Sequence, residues 1–151
     1  MPNSYFRFRR FTVWQDRCAM KVCTDACLFG AWLANEVHDA VHVLDIGTGT
    51  GLLSLMFAQN SSASVNALEI DKDASVQAAE NFNSSPWAYR LKVIDKSVQD
   101  YTAAFPGTSL YDLVFSNPPF YSNDLKSSDS RRNLAQHSEA LSLEELVYCT
   151  S

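Results

Sequence analysis

The sequence is short of positive charge. Lys and Arg together number 12 against 17 Asp and Glu, and the formal net charge is −5. A chain that gripped nucleic acid over its whole surface would be basic, and this one is not. Paired cysteines are missing too. Cys18, Cys23, Cys27 and Cys149 include no CxxC spacing, and no His cluster accompanies them. That argues against a zinc framework, so no metal is expected. A reducing compartment with buried or idle thiols fits better. No apolar run approaches the length that spans a bilayer. The first residues, MPNSYFRFRRF, lack the apolar stretch of a signal peptide. Repeats and low-complexity tracts are absent. The expectation is a cytoplasmic chain with no membrane partner.

What is present is enough apolar material for one domain: 46% of 151 residues are hydrophobic. The charge is unevenly spread. Residues 1 to 21 carry Arg7, Arg9, Arg10, Arg17 and Lys21 against Asp16, a local net of +4, which leaves −9 for the rest. A basic arm on an acidic body can hold a phosphate backbone locally, or can be a solvated tail. Residues 5 to 13 alternate aromatic and basic side chains, as one strand with a greasy face and a charged face does. Residues 24 to 37 read as a helix, capped by Thr24 or Asp25, with Ala26, Leu28, Phe29, Trp32 and Leu33 as its apolar contacts.

Strands follow at 41–46, 64–70, 90–95 and 111–116. Helices are expected at about 52–59 and 73–83, and a loop precedes the last strand. Another helix opens at Leu141, with Ser142 and Glu145 in capping-box spacing. This alternation is the pattern of an α/β fold, a parallel sheet with helices on both faces. The expected spatial order of the four strands is 3-2-1-4, because ligand turns follow the first and the fourth.

The first of those turns is Asp45-Ile46-Gly47-Thr48-Gly49-Thr50-Gly51. Glycines let a backbone turn tightly and approach a ligand. The spacing departs from G-x-G-x-x-G, which argues against a nucleotide-dependent oxidoreductase. Asp45 can orient the loop and draw the amino group of a cationic or zwitterionic ligand. Glu69, at the end of the next strand, can accept hydrogen bonds from ribose hydroxyls. A plain tight turn beside a surface Glu is the alternative.

The second turn is Ser116-Asn117-Pro118-Pro119-Phe120. Two prolines in a row stiffen it. It can present the Asn117 side chain and the Pro118 carbonyl as two fixed acceptors for an exocyclic amine. Phe120 offers a flat face to a base. Alignment of the amine then carries most of the catalysis, and no proton-abstracting His or Lys is required first.

The glycine turn with Glu69 resembles the S-adenosylmethionine site of Rossmann-type methyltransferases, and the Asn-Pro-Pro-Phe turn is similar to the motif of amine methyltransferases. The segment at 6–33, with LDIGTGTGLLSLMFAQ, ALEIDKDASVQAAENFNSSPW, YDLVFSNPPFY and LSLEEL, resembles the bacterial tRNA-valine adenine-N6 methyltransferases over nearly the whole chain. The resemblance implies one partial methyltransferase domain over 1–151, with a basic and aromatic segment at about 1–23. It implies that Gly47, Gly49 and Gly51 line the methionine and ribose, Glu69 binds the ribose, and Ile70 packs on the adenine. Ser97 and Val98 fall where that superfamily contacts the adenine amine, with Ser97 in place of an acidic residue. Thr24 and Asp25 belong to a stretch that closes the pocket, here with Cys23 and Ala26 where relatives have glycines.

The implied reaction is methyl transfer to the N6 amine of an adenine beside the anticodon, with Asn117, Pro118, Pro119 and Phe120 at the chemistry. Guanine-N2 rRNA and release-factor glutamine methyltransferases use similar turns and remain alternatives. Arg131, Arg132, Gln136 and His137 form a polar loop that contacts RNA or merely meets solvent. The chain stops inside an amphipathic helix, and relatives continue with further strands. The expectation is therefore a C-terminally truncated chain that self-associates through an exposed edge strand. An inactive truncated module that holds cofactor or RNA is the rival from another class.

Overall fold

The computed structural model describes residues 3–106 and 109–118. Pro119, Phe120, Arg131, Arg132, Gln136, His137, Cys149 and the helix expected from Leu141 lie outside the described residues.

The four parallel strands are β3 (His42–Ile46), β4 (Ser64–Glu69), β5 (Leu91–Asp95) and β6 (Leu113–Ser116). Their order in space is β5-β4-β3-β6, as the positions of the two turns required. Apolar strands of this kind are covered on both sides, and successive side chains alternate between faces. Val43, Val65, Ala67 and Phe115 belong to the larger core cluster, with Leu52, Leu55 and Phe57. Leu44, Ile46 and Leu68 form the smaller one, with Val98.

Helices α1 (Thr24–Glu36), α2 (Leu52–Ala58), α3 (Lys72–Asn83) and α4 (Val98–Ala103) complete the frame. Every residue of α2 is buried. The helix ends against two cations. Arg90 donates to Ala58 O at 2.6 Å and Ala63 O at 2.9 Å, and Arg10 donates to Gln59 O at 3.1 Å. Positive charge at a helix C-terminus opposes its dipole favourably.

Three expectations need correction. The segment at 5–13 is not one strand. It is a hairpin of β1 (Tyr5–Arg7) and β2 (Thr12–Trp14), antiparallel, closed where Phe8 N donates to Phe11 O. The alternation slips by one residue at Arg9-Arg10, so a continuous strand would have turned Phe11 and Val13 to the charged face. The turn instead keeps both arginines outside and stacks Phe8 on Phe11 at 4.5 Å.

Helix α1 starts from Cys23 with no side-chain cap, and Thr24 and Asp25 lie in its first turn. Its buried face is Ala26, Gly30, Leu33 and Ala34, while Leu28 and Trp32 remain 65% and 57% exposed. Leu28 and Trp32 share a stripe that is rotated away from the contact with α2. Finally, α4 stands where a loop was expected. Six residues are too few for a periodic signal, but Ser97 caps it by accepting from Asp100 N at 3.0 Å.

Candidate functional site

The register of the sheet gathers the site at one edge. Ile46 lies opposite both Leu68 and Ser116, and Glu69 lies opposite Asp95. Gly47, Ile70 and Asn117 therefore leave the sheet together at its carboxyl end, where open α/β sheets receive ligands. Ser116 Oγ donates to Ile46 O at 2.8 Å and fastens the two turn-bearing strands to each other. Asn117 and Pro118 follow it, half-buried.

The glycine turn extends the ladder before it bends. Gly47 N and Thr48 N both donate to Leu68 O, at 2.9 and 3.0 Å. Gly51 has φ +82°, and a Cβ there would lie 2.5 Å from the Phe82 ring. Both the dihedral and the packing exclude a side chain. At Gly47 and Gly49 the backbone is also left-handed, but a Cβ would meet no atom within 4 Å. The turn thus has a packed side and an open side.

Two carboxylates sit under it. Asp45 Oδ2 accepts from Thr48 Oγ1 at 2.6 Å and from Ser54 Oγ at 2.7 Å. Its Oδ1 is buried with no partner among the described residues. Burial pushes the Asp45 carboxyl up to about 6, against the pull of the two hydroxyls. A buried acceptor without a donor is costly, and such groups concentrate where a ligand completes them.

Glu69 is already bonded. Its Oε2 accepts from Gly49 N at 2.8 Å, and its Oε1 accepts from Ile70 N and Asp71 N at 3.0 Å each. Burial still raises its carboxyl above the ordinary range. A carboxylate has about four acceptor positions, so one remains, on the oxygen facing Gly49. Glu69 is first of all a strut for the glycine turn, a role its sequence position did not reveal.

The other expected residues divide. Ile70 is 48% exposed at the same edge, an apolar surface beside the carboxylates. Ser97 spends its hydroxyl on Asp100, donating to Oδ2 at 2.8 Å, and Val98 is buried in the smaller core cluster. Thr24 and Asp25 are exposed, and neither side chain makes a hydrogen bond among the described residues. Cys18 is buried near the acidic edge, and burial, then the charges of Glu69 and Asp71, push its thiol up to about 12. It stays protonated and unreactive. No group of three or more His, Cys, Asp or Glu able to hold a metal occurs among the described residues.

Sequence reasoning missed Asn81. This fully buried amide on α3 donates to Thr50 O at 2.8 Å, inside the glycine turn. The available signal was the pair Gln77 and Asn81, one helical turn apart on a face otherwise made of Ala74, Ala78 and Phe82.

Comparison with known proteins bears on the family and the fold. Residues 25–144 match the family described as "Methyltransferase small domain". Over 148 residues the chain is 49% identical to a tRNA1(Val) (adenine(37)-N6)-methyltransferase of Parabacteroides distasonis, covering 97% of this chain and 60% of that protein. It is 51% identical to the Bacteroides fragilis protein of the same name, with 97% and 61% covered. The chain thus spans about 60% of the length of these curated relatives. In structure it resembles a SAM-dependent methyltransferase from Agrobacterium tumefaciens, with TM-score 0.61 and 21% identity, over 79% of this chain and 41% of that one. It also resembles an O-methyltransferase from Bacillus cereus in complex with SAH, with TM-score 0.57 and 21% identity, over 68% and 48%. These likenesses establish the Rossmann-like methyltransferase fold. The chain belongs to the methyltransferase small domain family.

Proposed function

We propose that this methyltransferase small domain holds S-adenosylmethionine and the reacting base of an enzyme that methylates the N6 amine of an adenine in tRNA. The observation that carries it is the register of Ile46 against Ser116, which sets the Asn117 turn beside the glycine turn. Substrate and cofactor must meet within bonding distance, and these neighbouring strand ends provide that. The names of the relatives support tRNA and the N6 of its adenine 37.

The residues fit the cofactor. The open side of Gly47 and Gly49 leaves room for its chain, with Gly51 closing the turn behind. The orphaned Asp45 Oδ1 is matched to its ammonium group. The remaining acceptor position of Glu69 suits a ribose hydroxyl, and exposed Ile70 suits the adenine face. The main chain at Ser97 and Val98 borders the adenine edge, and Thr24 and Asp25 close from α1. When bound, S-adenosylmethionine supplies the electrophilic methyl group.

The chain's own contribution to the reaction is alignment. Asn117 and the Pro118 carbonyl accept from the two hydrogens of the exocyclic amine, and so hold its lone pair in one direction. Pro119 stiffens the turn, and Phe120 stacks on a base taken out of its own stack. The basic N-terminal segment binds phosphate. Two of its cations serve the fold instead, since Arg17 pairs with Glu80 at 2.9 Å and Arg10 lies over the Trp87 ring at 5.3 Å. The setting for this work is the cytoplasm, and among the described residues no helix is long and apolar enough to cross a membrane. We also propose self-association through β6, the last strand of the sheet among the described residues.

The test is transfer of tritiated methyl to tRNA by the full-length protein, followed by mass analysis of the nucleosides. N6-methyladenosine is the expected product. N2-methylguanosine or methylglutamine would move the assignment to another substrate. Asn117→Ala should slow single-turnover methylation by about 100-fold while leaving cofactor affinity within about twofold. Wild-type speed in that variant would remove Asn117 from the chemistry.

A further inference from the structure

The N-terminal hairpin and the glycine turn meet on one side chain. Asn81 is fully buried, and its amide is used from both ends. Oδ1 accepts from Trp14 N at 2.9 Å. Nδ2 donates to Trp14 O at 2.9 Å and to Thr50 O at 2.8 Å. The next residue, Phe82, lies under Gly51, where even a Cβ would collide with it. The end of α3 thus touches the turn twice and β2 twice. The chain beyond β2 runs back along the same helix: Arg17 N donates to Gln77 Oε1 at 3.3 Å, and Cys18 reaches the neighbourhood of Glu69. Residues 14–18, the Gln77 and Asn81 face of α3, and the turn at 49–51 form one bonded unit.

Only an amide fits this position. It faces two carbonyl oxygens and one N–H, so it must donate twice and accept once. The bond to Thr50 O is fully buried and stronger for it, while the two bonds to Trp14 are part-buried. The outer face of the hairpin that Asn81 holds carries Tyr5 and Trp14, paired across the strands with rings 5.1 Å apart. Arg7 shares that face.

We propose that Asn81 is a positioning residue that couples occupancy of the glycine turn to the N-terminal hairpin, so that cofactor binding fixes the hairpin in place. The inference rests on the cofactor reading above. A ligand on the open side of the turn restrains Thr50 O. Asn81 passes that restraint to both backbone groups of Trp14, and the outer face becomes firmer without any change in its contacts. Coupling of this kind is a difference in opening free energy, and it is reciprocal.

The test is amide hydrogen exchange of peptides covering residues 5–15 and 47–54 in the full chain, with and without saturating S-adenosylhomocysteine, whose binding is measured in parallel by calorimetry. In the wild type the ligand should slow exchange several-fold in both peptides. In Asn81→Asp, which faces the same two carbonyls without amide hydrogens, and in Asn81→Ala, the ligand should still slow the 47–54 peptide but leave 5–15 unchanged. A purely structural Asn81 would raise the exchange of the hairpin equally in both states and leave the ligand-induced ratio as in the wild type. That result would overturn the coupling, and so would a wild-type hairpin indifferent to bound ligand, even if both variants failed to fold. Absence of any S-adenosylhomocysteine binding by the wild type would instead overturn the cofactor reading, and the coupling with it.

Discussion

The two ends of the sheet use the same bond for opposite ends. At the amino end, Asp112 Oδ2 accepts from Val41 N at 2.9 Å and His42 N at 2.8 Å, and stitches β6 to β3 in open solvent. Those two N–H groups hold its carboxyl below the ordinary range. At the carboxyl end, Glu69 accepts three N–H groups and Asp45 two hydroxyls, yet burial raises both. Hydrogen bonds alone therefore do not decide the charge state; access to water does. An exposed carboxylate is a cheap fastening. A buried one with an unpartnered oxygen is a cost that folding alone does not justify, and it sits at the end of the sheet where the proposal puts the ligand. The amino end has its own cleft of 320 Å³, lined by Glu36, His38, Asp39 and Asp112, but its charges already face solvent.

The contrast can be broken most severely at Gly51. Gly51→Ala places a side chain at φ +82° and against Phe82. The left-handed backbone costs roughly 1–2 kcal/mol and the overpacking about 1–3 kcal/mol more. Urea unfolding should therefore show a loss of about 2–5 kcal/mol. Gly47→Ala shares the dihedral cost but meets open space. It should lose less stability and more cofactor affinity. Equal stability losses in the two variants would erase the distinction between a packed and an open side of the turn.

Next in size is the titration of Asp45. Its folded carboxyl lies at about 6, above the ordinary 3.8. The folded state therefore binds the proton more tightly, and this group's contribution to stability falls as pH rises from 3.8 to about 6, then levels off. The span is on the order of 3 kcal/mol. An ammonium group on Asp45 Oδ1 favours the charged form, so ligand affinity should weaken as pH falls below 6, and binding in that window should release a proton. Calorimetry in buffers of different ionisation enthalpy reads the proton directly. Asp45→Asn should flatten both profiles, and an unchanged profile in that variant would give the proton to another group.

Glu69→Ala is the third test. It frees the N–H groups of Gly49, Ile70 and Asp71 and removes the proposed ribose acceptor. Cofactor affinity should drop by about 1–3 kcal/mol, the scale for bonds to a charged group. Unchanged affinity would leave Glu69 as a strut alone.

The sequence made the carboxyl end legible in outline and opaque in detail, for physical reasons. Parallel strands are apolar runs closed by turn residues, so VHVLDI, SVNALEI and YDLVFS stood out, each one or two residues longer than the strand that forms, and the two turns dictated which strands are neighbours. Among the described residues positive φ is confined to glycine, which made the turn at 47–51 readable. A hydrogen bond between distant residues leaves no such mark. Nothing local says that Glu69 holds Gly49, or that Asn81 reaches Thr50, 31 positions away. The hairpin was hidden differently: Phe6, Arg7, Phe8 and Arg9 alternate straight through the end of the first strand, and only the adjacent Arg9 and Arg10 betray the turn.

The smallest effect should come from the amino end, and its smallness is the point. Asp112→Ala removes the acceptor of Val41 N and His42 N, but both groups lie where water can replace it. A modest fall in Tm at pH 7 is expected, with cofactor affinity unchanged. Because the folded carboxyl is held below its ordinary 3.8, its contribution is present above that pH and is lost as pH falls through the folded value. The gap between wild type and Asp112→Ala should therefore close in acid, while any effect of Asp45→Asn on stability changes between 3.8 and about 6. Thermal melts of the two variants across pH separate the windows. If Asp112→Ala lowered cofactor affinity, or destabilised the chain as much as Gly51→Ala, the two ends would not be independent. The carboxyl end would then owe its geometry to the stitch at the other end of β3 and β6.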